Sequence, residues 1–273
     1  MKILILGASG TVGGAIFKSA SNKSSKFDCW GTYNKNKPMD LETNQLIQWN
    51  IEDIEKLQQM IADISPDVVI SSLTGDFEMQ LTAHRHLAEL LRETSTYMYF
   101  ISTANVFDGA IDTLRSEDES PYPVSDYGKF KLACEELLQA ALGARCLIIR
   151  IPKIMTPEIA ENFIFGEPVY RNLFISLNSP QNVADATIQC IQTERTGVIH
   201  LSSHDCMSVD AMCTHMGKSG YATDTLTAEG FAKMMGCEPA SLRISNNGNF
   251  YFGLRNSASN PFASTCQEIL DCI

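Results

Sequence analysis

Short apolar runs alternate with longer segments of helical periodicity from the first residues to about residue 150. The apolar runs predict strands at 2–6, 28–33, 67–72, 98–103 and 145–151. The periodic segments predict helices at 12–20, 52–64, 77–93 and 126–142. Strands and helices that alternate in this order predict an α/β fold with a doubly wound parallel sheet.

The pattern becomes less regular beyond Pro152, where Pro157, Gly166 and Pro168 interrupt it. We therefore predict a domain at 1–151 and a mixed region at 152–273. A chain of 273 residues with 44% hydrophobic residues is long enough to bury a large core.

The composition argues against several classes of protein. No stretch is long and apolar enough to span a bilayer, and the first strand is too short for a signal peptide. Nine cysteines without a Cys-x-x-Cys pair indicate reduced thiols in a cytoplasmic protein. A net charge of −11 argues against a nucleic-acid partner. The five histidines lack metal-ligand spacing, so we expect no metal site.

A glycine-rich turn lies between the first strand and the first helix. It reads Gly7-Ala-Ser-Gly10-Thr-Val-Gly13. Gly7 permits a tight turn, Gly10 lets the backbone approach a pyrophosphate, and Gly13 lets helix and strand pack closely. The amides of the helix N-terminus would then face the anion. The turn, one residue longer than the commonest form, predicts dinucleotide binding.

The end of the second strand bears on which nicotinamide cofactor is bound. An acid there would bind the ribose of NAD, whereas cations favour the extra phosphate of NADP. The sequence has Lys35 and Lys37 and no acid before Asp40. NADP is therefore predicted, with NAD as the second option. The alternative, that both are ordinary loop lysines, stays open.

Tyr127 and Lys131 lie four residues apart, on one face of the predicted helix at 126–142. A nearby cation lowers the pKa of a phenol from its usual value of about 10. The strand at 98–103 ends in Ser102 and Thr103, at the edge where parallel sheets bind ligands. Thr103 could hold a substrate carbonyl while Tyr127 protonates it. The Tyr-x-x-x-Lys pair alone is also typical of an ordinary amphipathic helix.

These three features, in this order, resemble the extended short-chain dehydrogenase/reductase family, and within it the dTDP-4-dehydrorhamnose reductases and their relatives. The more specific matches are Val106-Phe-Asp-Gly109 and Asn162-Phe163. The resemblance implies a Rossmann-type sheet with a small C-terminal substrate-binding part. It also implies that 183–193 and 197–202 return to the core.

By resemblance, the chain transfers a hydride from NADPH to a ketone, most simply a 4-keto nucleotide sugar. Thr103, Tyr127 and Lys131 take the roles of hydroxyl, acid and lysine. Cofactor contacts are expected from Gly7, Ser9, Gly10, Thr11, Val12, Gly13, Asn34, Lys35, Asn50, Ile51, Ser71, Ser72, Leu73, Tyr127, Lys131 and Ile151. Substrate contacts are expected from Asn105, Phe107, Asn162, Phe163 and Arg255. A homodimer is left open.

The chain departs from the reductases directly after the catalytic threonine. They typically have an acid and a tyrosine there, and this chain has Ala104 and Asn105. The change argues against a sugar-nucleotide 4,6-dehydratase, which uses an Asp-Glu pair at this place. Two alternatives remain beside the reductase: a sugar-nucleotide epimerase with tightly bound NAD, and a non-catalytic NADP-binding regulatory subunit.

Overall fold

A computed structural model describes residues 1–23, 26–38, 45–160, 169–217, 223–257 and 260–273. The chain forms two compact units, each assembled from three stretches. The first unit comprises Met1–Ser102, Ala133–Ile149 and Pro180–Val198. The second comprises Thr103–Leu132, Arg150–Ser179 and Ile199–Ile273.

The elements are numbered along the described residues. The strands are β1 (Lys2–Leu6), β2 (Asp28–Tyr33), β3 (Leu46–Gln48), β4 (Val68–Ser71), β5 (Tyr97–Thr103), β6 (Ala110–Ile111), β7 (Cys146–Ile151), β8 (Lys153–Ile154), β9 (Val169–Tyr170), β10 (Leu173–Ile175), β11 (Leu177–Asn178), β12 (Gly197–His200), β13 (Met207–Ser208), β14 (Thr223–Asp224), β15 (Arg243–Ile244) and β16 (Phe250–Phe252). The helices are α1 (Thr11–Ser21), α2 (Ile54–Ile64), α3 (Phe77–Arg92), α4 (Asp126–Leu142), α5 (Pro180–Gln192), α6 (Val209–His215), α7 (Ala228–Met235) and α8 (Cys266–Asp271).

A seven-stranded sheet has the order β12-β7-β5-β4-β1-β2-β3. Strand β1 pairs in parallel with β2 and with β4, β2 pairs in parallel with β3, and β4 pairs in parallel with β5. The order reverses direction between β1 and β4, as in a Rossmann-type sheet, and the gap there is where such sheets bind ligands. The predicted doubly wound α/β fold is confirmed. The five predicted strands and four predicted helices are present, each within two residues at either end.

Burial explains why the strands read as continuous apolar runs. Ile3, Leu4 and Ile5 are fully buried, as expected for strands covered on both faces. Helices α2 and α3 begin after residues whose side chains cap their first amides. Asp53 accepts a bond from the Lys56 amide at 2.9 Å, and Asp76 accepts one from the Met79 amide at 3.0 Å.

Helix α5 belongs to the first unit, as the resemblance implied for 183–193. It packs along α1. Ser19 of α1 donates a hydrogen bond to Asp185 at 3.2 Å, and Gln181 donates one to Ser19 at 2.9 Å. Strand β12, from the predicted segment at 197–202, forms one edge of the seven-stranded sheet.

The second unit contains short strands and helices around its own apolar core. Strand β10 lies between β13 and β16 in a three-stranded sheet, and three two-stranded pairs join β6 to β15, β8 to β11 and β9 to β14. The buried core includes Leu177, Met212, Phe231, Phe250 and Cys266.

All nine cysteines are free thiols. Burial raises the pKa of Cys146 and Cys266 to about 12 and that of Cys190 to about 11, so these three are protonated packing residues at neutral pH. Within the part of the chain that the structure describes, no helix is both long and apolar enough to cross a membrane.

Candidate functional site

The turn after β1 has the backbone geometry that its glycines predict. Gly7 has φ +89°, and a Cβ there would lie 2.7 Å from the carbonyl oxygen of Ser72. A Cβ on Gly13 would overlap the carbonyl oxygen of Gly7. The tight turn and the close approach of α1 to β1 are therefore both present, and each requires a residue without a side chain.

The N-terminus of α1 has no side-chain cap. Gly10 occupies the cap position with an extended backbone, φ −84° and ψ 165°, and the first helical bond runs from the Gly14 amide to the Gly10 carbonyl at 2.7 Å. A Cβ on Gly10 would meet only the Gly7 oxygen, at 3.4 Å. An uncapped helix N-terminus with exposed Ser9 and Thr11 beside it fits the pyrophosphate of a dinucleotide.

The ends of β2 and β3 lie in the first unit with this turn. The buried Thr32 accepts a bond from the Gly7 amide at 3.0 Å, which ties the glycine turn to β2. Asn34, Lys35 and Lys37 are exposed beyond the strand end. The exposed Asn50 is hydrogen-bonded to Glu52 at the start of α2, and its neighbour Ile51 is half-buried.

Ser71, at the end of β4, faces the interior. Ser71 is fully buried, and its hydroxyl lies 2.8 Å from Nε2 of His84, whose Nδ1 lies 2.6 Å from the Gln80 carbonyl. Since Nδ1 can only donate to that carbonyl, Nε2 accepts the proton of Ser71. The Ser71 hydroxyl is therefore bonded inside the first unit, and the cofactor contact of Ser71 stays a prediction. Ser72 and Leu73, which follow β4, are half-buried.

Ser102 was expected to emerge with Thr103 at the end of β5, but its side chain faces the interior. Ser102 is buried and donates a short hydrogen bond to the buried carboxylate of Glu135 on α4. Thr103 is therefore the hydroxyl at the end of β5 that remains for chemistry.

The hydroxyls of Thr103 and Tyr127 are brought together in the second unit, where they are hydrogen-bonded to each other. Thr103 donates to Oδ1 of Asn105 at 3.0 Å and accepts from the Asn105 amide at 3.2 Å. Because a threonine hydroxyl has one proton, Tyr127 is the donor in its bond with Thr103. The half-buried Asn105 thus sets the direction of the bonds between these hydroxyls.

The pKa of Tyr127 is raised above its usual value, not lowered as expected. Burial of the phenol raises the pKa, and the Thr103 hydroxyl, which can turn to donate to the phenolate, opposes the rise without cancelling it. Lys131 lies one helical turn further on, 5% exposed, with its Nζ 5.8 Å from the centre of the Phe130 ring. Tyr127 is 37% exposed, so it is the more accessible of Tyr127 and Lys131.

Phe107 was expected to contact substrate, but its ring is 2% exposed. The guanidinium of Arg150 lies 5.0 Å from the ring centre, and the edge of His200 packs against the ring at 5.9 Å. Phe107 is therefore a packing residue of the second unit. Ile151, at the end of β7, is 9% exposed.

Two further predictions concern later segments. Arg255 is exposed, and its amide donates to the Arg115 carbonyl at 2.7 Å. Asn162 and Phe163 lie outside the described residues.

Sequence reasoning missed the residues that hold the start of α4. Asp108 is fully buried, and its carboxylate accepts bonds from the amides of Val124 and Ser125. The motif Val106-Phe-Asp-Gly109 contains this aspartate and is the signal in the sequence that could have identified it.

Comparisons with known proteins identify the family of this chain. The model of the RmlD substrate binding domain family matches residues 1–166. Among known sequences, methionine adenosyltransferase 2 subunit beta from Xenopus laevis is 27% identical over 232 residues, or 76% of this chain and 68% of that protein.

Similar solved structures include two bacterial enzymes. A dTDP-4-dehydrorhamnose reductase from Clostridium acetobutylicum has a TM-score of 0.73 at 19% identity, covering 99% of this chain and 97% of its own. The dTDP-4-dehydrorhamnose reductase from Bacillus anthracis, solved in complex with NADP, has a TM-score of 0.66 at 18% identity, covering 82% and 84%. At these identities the structures show a common fold.

Proposed function

This chain belongs to the RmlD substrate binding domain family, and we propose that it is a nicotinamide-dependent reductase of ketones, with a 4-keto nucleotide sugar as the first candidate substrate. The observation that carries the proposal is the hydrogen-bonded pair of Thr103 and Tyr127, with Lys131 one helical turn beyond the tyrosine. Proton delivery to a carbonyl oxygen needs a hydroxyl that orients the carbonyl, an acid that gives the proton and a cation near that acid.

NADPH is the proposed cofactor. The uncapped N-terminus of α1 and the side-chain-free turn at Gly7 and Gly10 support binding of its pyrophosphate, and the exposed Lys35 and Lys37 support binding of its extra phosphate. The similar reductase from Bacillus anthracis was solved with NADP. When bound, NADPH supplies the hydride that reduces the carbonyl carbon.

Tyr127 gives its phenolic proton to the carbonyl oxygen. Because burial raises its pKa, the phenol keeps this proton at neutral pH and is ready to act as an acid. The phenolate that remains is stabilised when Thr103 turns its own proton from Asn105 toward it. Lys131, four residues further along the same helix face, provides the positive charge that favours the phenolate.

The test is the rate of NADPH oxidation with dTDP-linked and UDP-linked 4-keto sugars. Tyr127→Phe removes the proton and keeps the ring, so we expect turnover to fall about 10²–10⁴-fold, the usual loss for general-acid catalysis. NADPH affinity should change little. Tyr97→Phe is the matched control, because Tyr97 lies at the opposite end of β5 from Thr103 and its hydroxyl has no proposed role.

Similarity to methionine adenosyltransferase 2 subunit beta favours a second candidate, a non-catalytic NADP-binding subunit. Ala104 and Asn105, which replace the usual acid and tyrosine, also favour it. This candidate predicts NADPH binding without reduction of any keto sugar, and equal behaviour of the parent and Tyr127→Phe. That combination of results would replace the reductase proposal.

A further inference from the structure

Asp108 has an unusual position for a carboxylate. It is fully buried, yet it lies in a turn, directly after the short helical segment Ala104–Phe107. Its Oδ1 accepts from the Val124 amide at 2.6 Å and from the Ser125 amide at 3.3 Å, and its Oδ2 accepts a short bond from the Ser125 hydroxyl. Each bond reaches 16 or 17 residues along the chain, to the residues that precede α4.

Ser125 links Asp108 to the first turn of α4. Its Oγ donates to Asp108 and accepts from the Gly128 amide at 3.0 Å, in the first turn of α4. A serine hydroxyl has one proton, so its bond to Asp108 leaves the lone pairs directed at the helix amide. The chain of bonds from Asp108 through Ser125 to Gly128 therefore ends at the residue next to Tyr127.

Gly128 lets the same turn come close to the residues after β5. A Cβ on Gly128 would overlap the carbonyl oxygen of Asn105 and lie 3.0 Å from Oδ2 of Asp108. Asn105 is also the residue that bonds Thr103 through both its amide and its side chain. The first turn of α4 and the segment that holds Thr103 are thus in direct backbone contact.

We propose that Asp108, acting through Ser125, is a positioning residue that sets the Tyr127 hydroxyl against Thr103. This inference rests on the proposed reductase activity and adds to it the means by which the acid is aligned. Asp108 does not touch the reacting atoms. It acts by fixing the first turn of α4, whose displacement by about 1 Å is enough to cost on the order of 10²-fold in rate.

The hydrogen bonds from Asp108 through Ser125 to Gly128 are called the clasp here, and two substitutions test it beside a matched control. Ser125→Ala removes the link between Asp108 and Gly128, and Asp108→Asn replaces the acceptor of the Ser125 proton by an amide group. Ser208→Ala removes an equivalent cap, since Ser208 accepts the Ala211 amide at 3.1 Å at the start of α6. We expect turnover to fall about 10–100-fold in the two clasp variants with unchanged KM, and to stay at the parent value in Ser208→Ala. Ser125→Thr, which retains the hydroxyl, should restore turnover.

A second readout does not depend on turnover. With ¹³C-labelled tyrosine, the NMR titration of Tyr127 reports its contact with Thr103. The clasp variants should shift its resonance and its titration midpoint, while Ser208→Ala should leave both in place. Folded clasp variants with a parental Tyr127 titration would overturn the proposal, whatever their activity. A shifted titration in a protein that reduces no keto sugar would keep the clasp and refute the reductase function.

Discussion

His200, at the scale of a single residue, is a histidine that burial keeps neutral. It is fully buried, and desolvation, followed by the positive charge of Arg150, lowers its pKa to about 4. The carbonyls of Arg255 and Arg115 and the carboxylate of Glu119 oppose this drop. Among the described residues, no partner of either ring nitrogen meets full hydrogen-bond geometry, so these groups stabilise a protonated ring less than water does.

The first residue-scale prediction follows from this lowered pKa. Between about pH 6.5 and pH 4, His200 is protonated in the unfolded chain but not in the folded chain. The free energy of unfolding therefore falls as the pH falls. At pH 5 the loss is about 2 kcal/mol, from about 1.4 kcal/mol per pKa unit. His200→Phe should remove that part of the loss, measured as the free energy of unfolding in urea at pH 7.5 and pH 5. The control variant His86→Gln, at a side chain that is 42% exposed, should keep it. Equal losses in His200→Phe and the parent would contradict the assignment.

The residue scale is also where the sequence was least informative. Thr103 and Tyr127 were predicted to meet, and their hydroxyls do. Ser71 and Ser102 were expected at the site, yet their hydroxyls bond to His84 and Glu135. The physical reason is that β4 and β5 are buried along almost their whole length. A strand covered on both faces has no alternation of polar and apolar residues, so its sequence does not reveal which hydroxyl faces which side.

Most elements of the first unit could be predicted because they have patterns with clear ends, whereas the three-residue strand β3 was not predicted. The four predicted helices are 11 to 17 residues long, and Asp53 and Asp76 mark two of their starts. The second unit could not be predicted in the same way. In the part of this unit that the structure describes, seven strands, such as β6 and β8, have only two residues, too few to show any period.

The element-scale prediction compares two glycines of the same turn. Gly13→Ala places a Cβ on the Gly7 carbonyl, so α1 must move from β1, and we expect a loss of about 1–3 kcal/mol in unfolding free energy. Gly10→Ala meets its neighbour at 3.4 Å with an ordinary backbone and should cost much less. Equal stability of the two variants in urea denaturation would show that the approach of α1 to β1 is not limited at Gly13.

At the scale of the whole molecule, cofactor binding should appear as stability. A ligand that binds only the folded chain adds about 2.7 kcal/mol at 100 times its Kd. We predict that NADPH raises the Tm more than equimolar NADH does, because Lys35 and Lys37 stand at the end of β2. The double variant Lys35→Ala, Lys37→Ala should lose the difference, whereas Lys56→Ala, an exposed lysine on α2, should retain it. A parent protein stabilised as much by NADH as by NADPH would refute the NADP assignment.

A substitution in the glycine turn should remove the increase in Tm that the cofactor causes. Gly10→Val fills the space beside the N-terminus of α1 that the pyrophosphate would use, while the extended backbone at this position accepts a branched residue. The variant should fold and show no Tm increase with either cofactor. An unchanged shift with NADPH would mean that the dinucleotide binds elsewhere.

The interleaving of the two units has a consequence for synthesis on the ribosome. The last stretch of the first unit ends at Val198, whereas the second unit requires Ile199–Ile273. While those residues are still being added, the glycine turn can already be folded in its sheet. Thr103 and Tyr127, in the second unit, still lack most of the chain that will surround them. The half of the molecule proposed to hold the dinucleotide can therefore mature first, and the half proposed to deliver the proton is completed only after Ile199–Ile273 have been added.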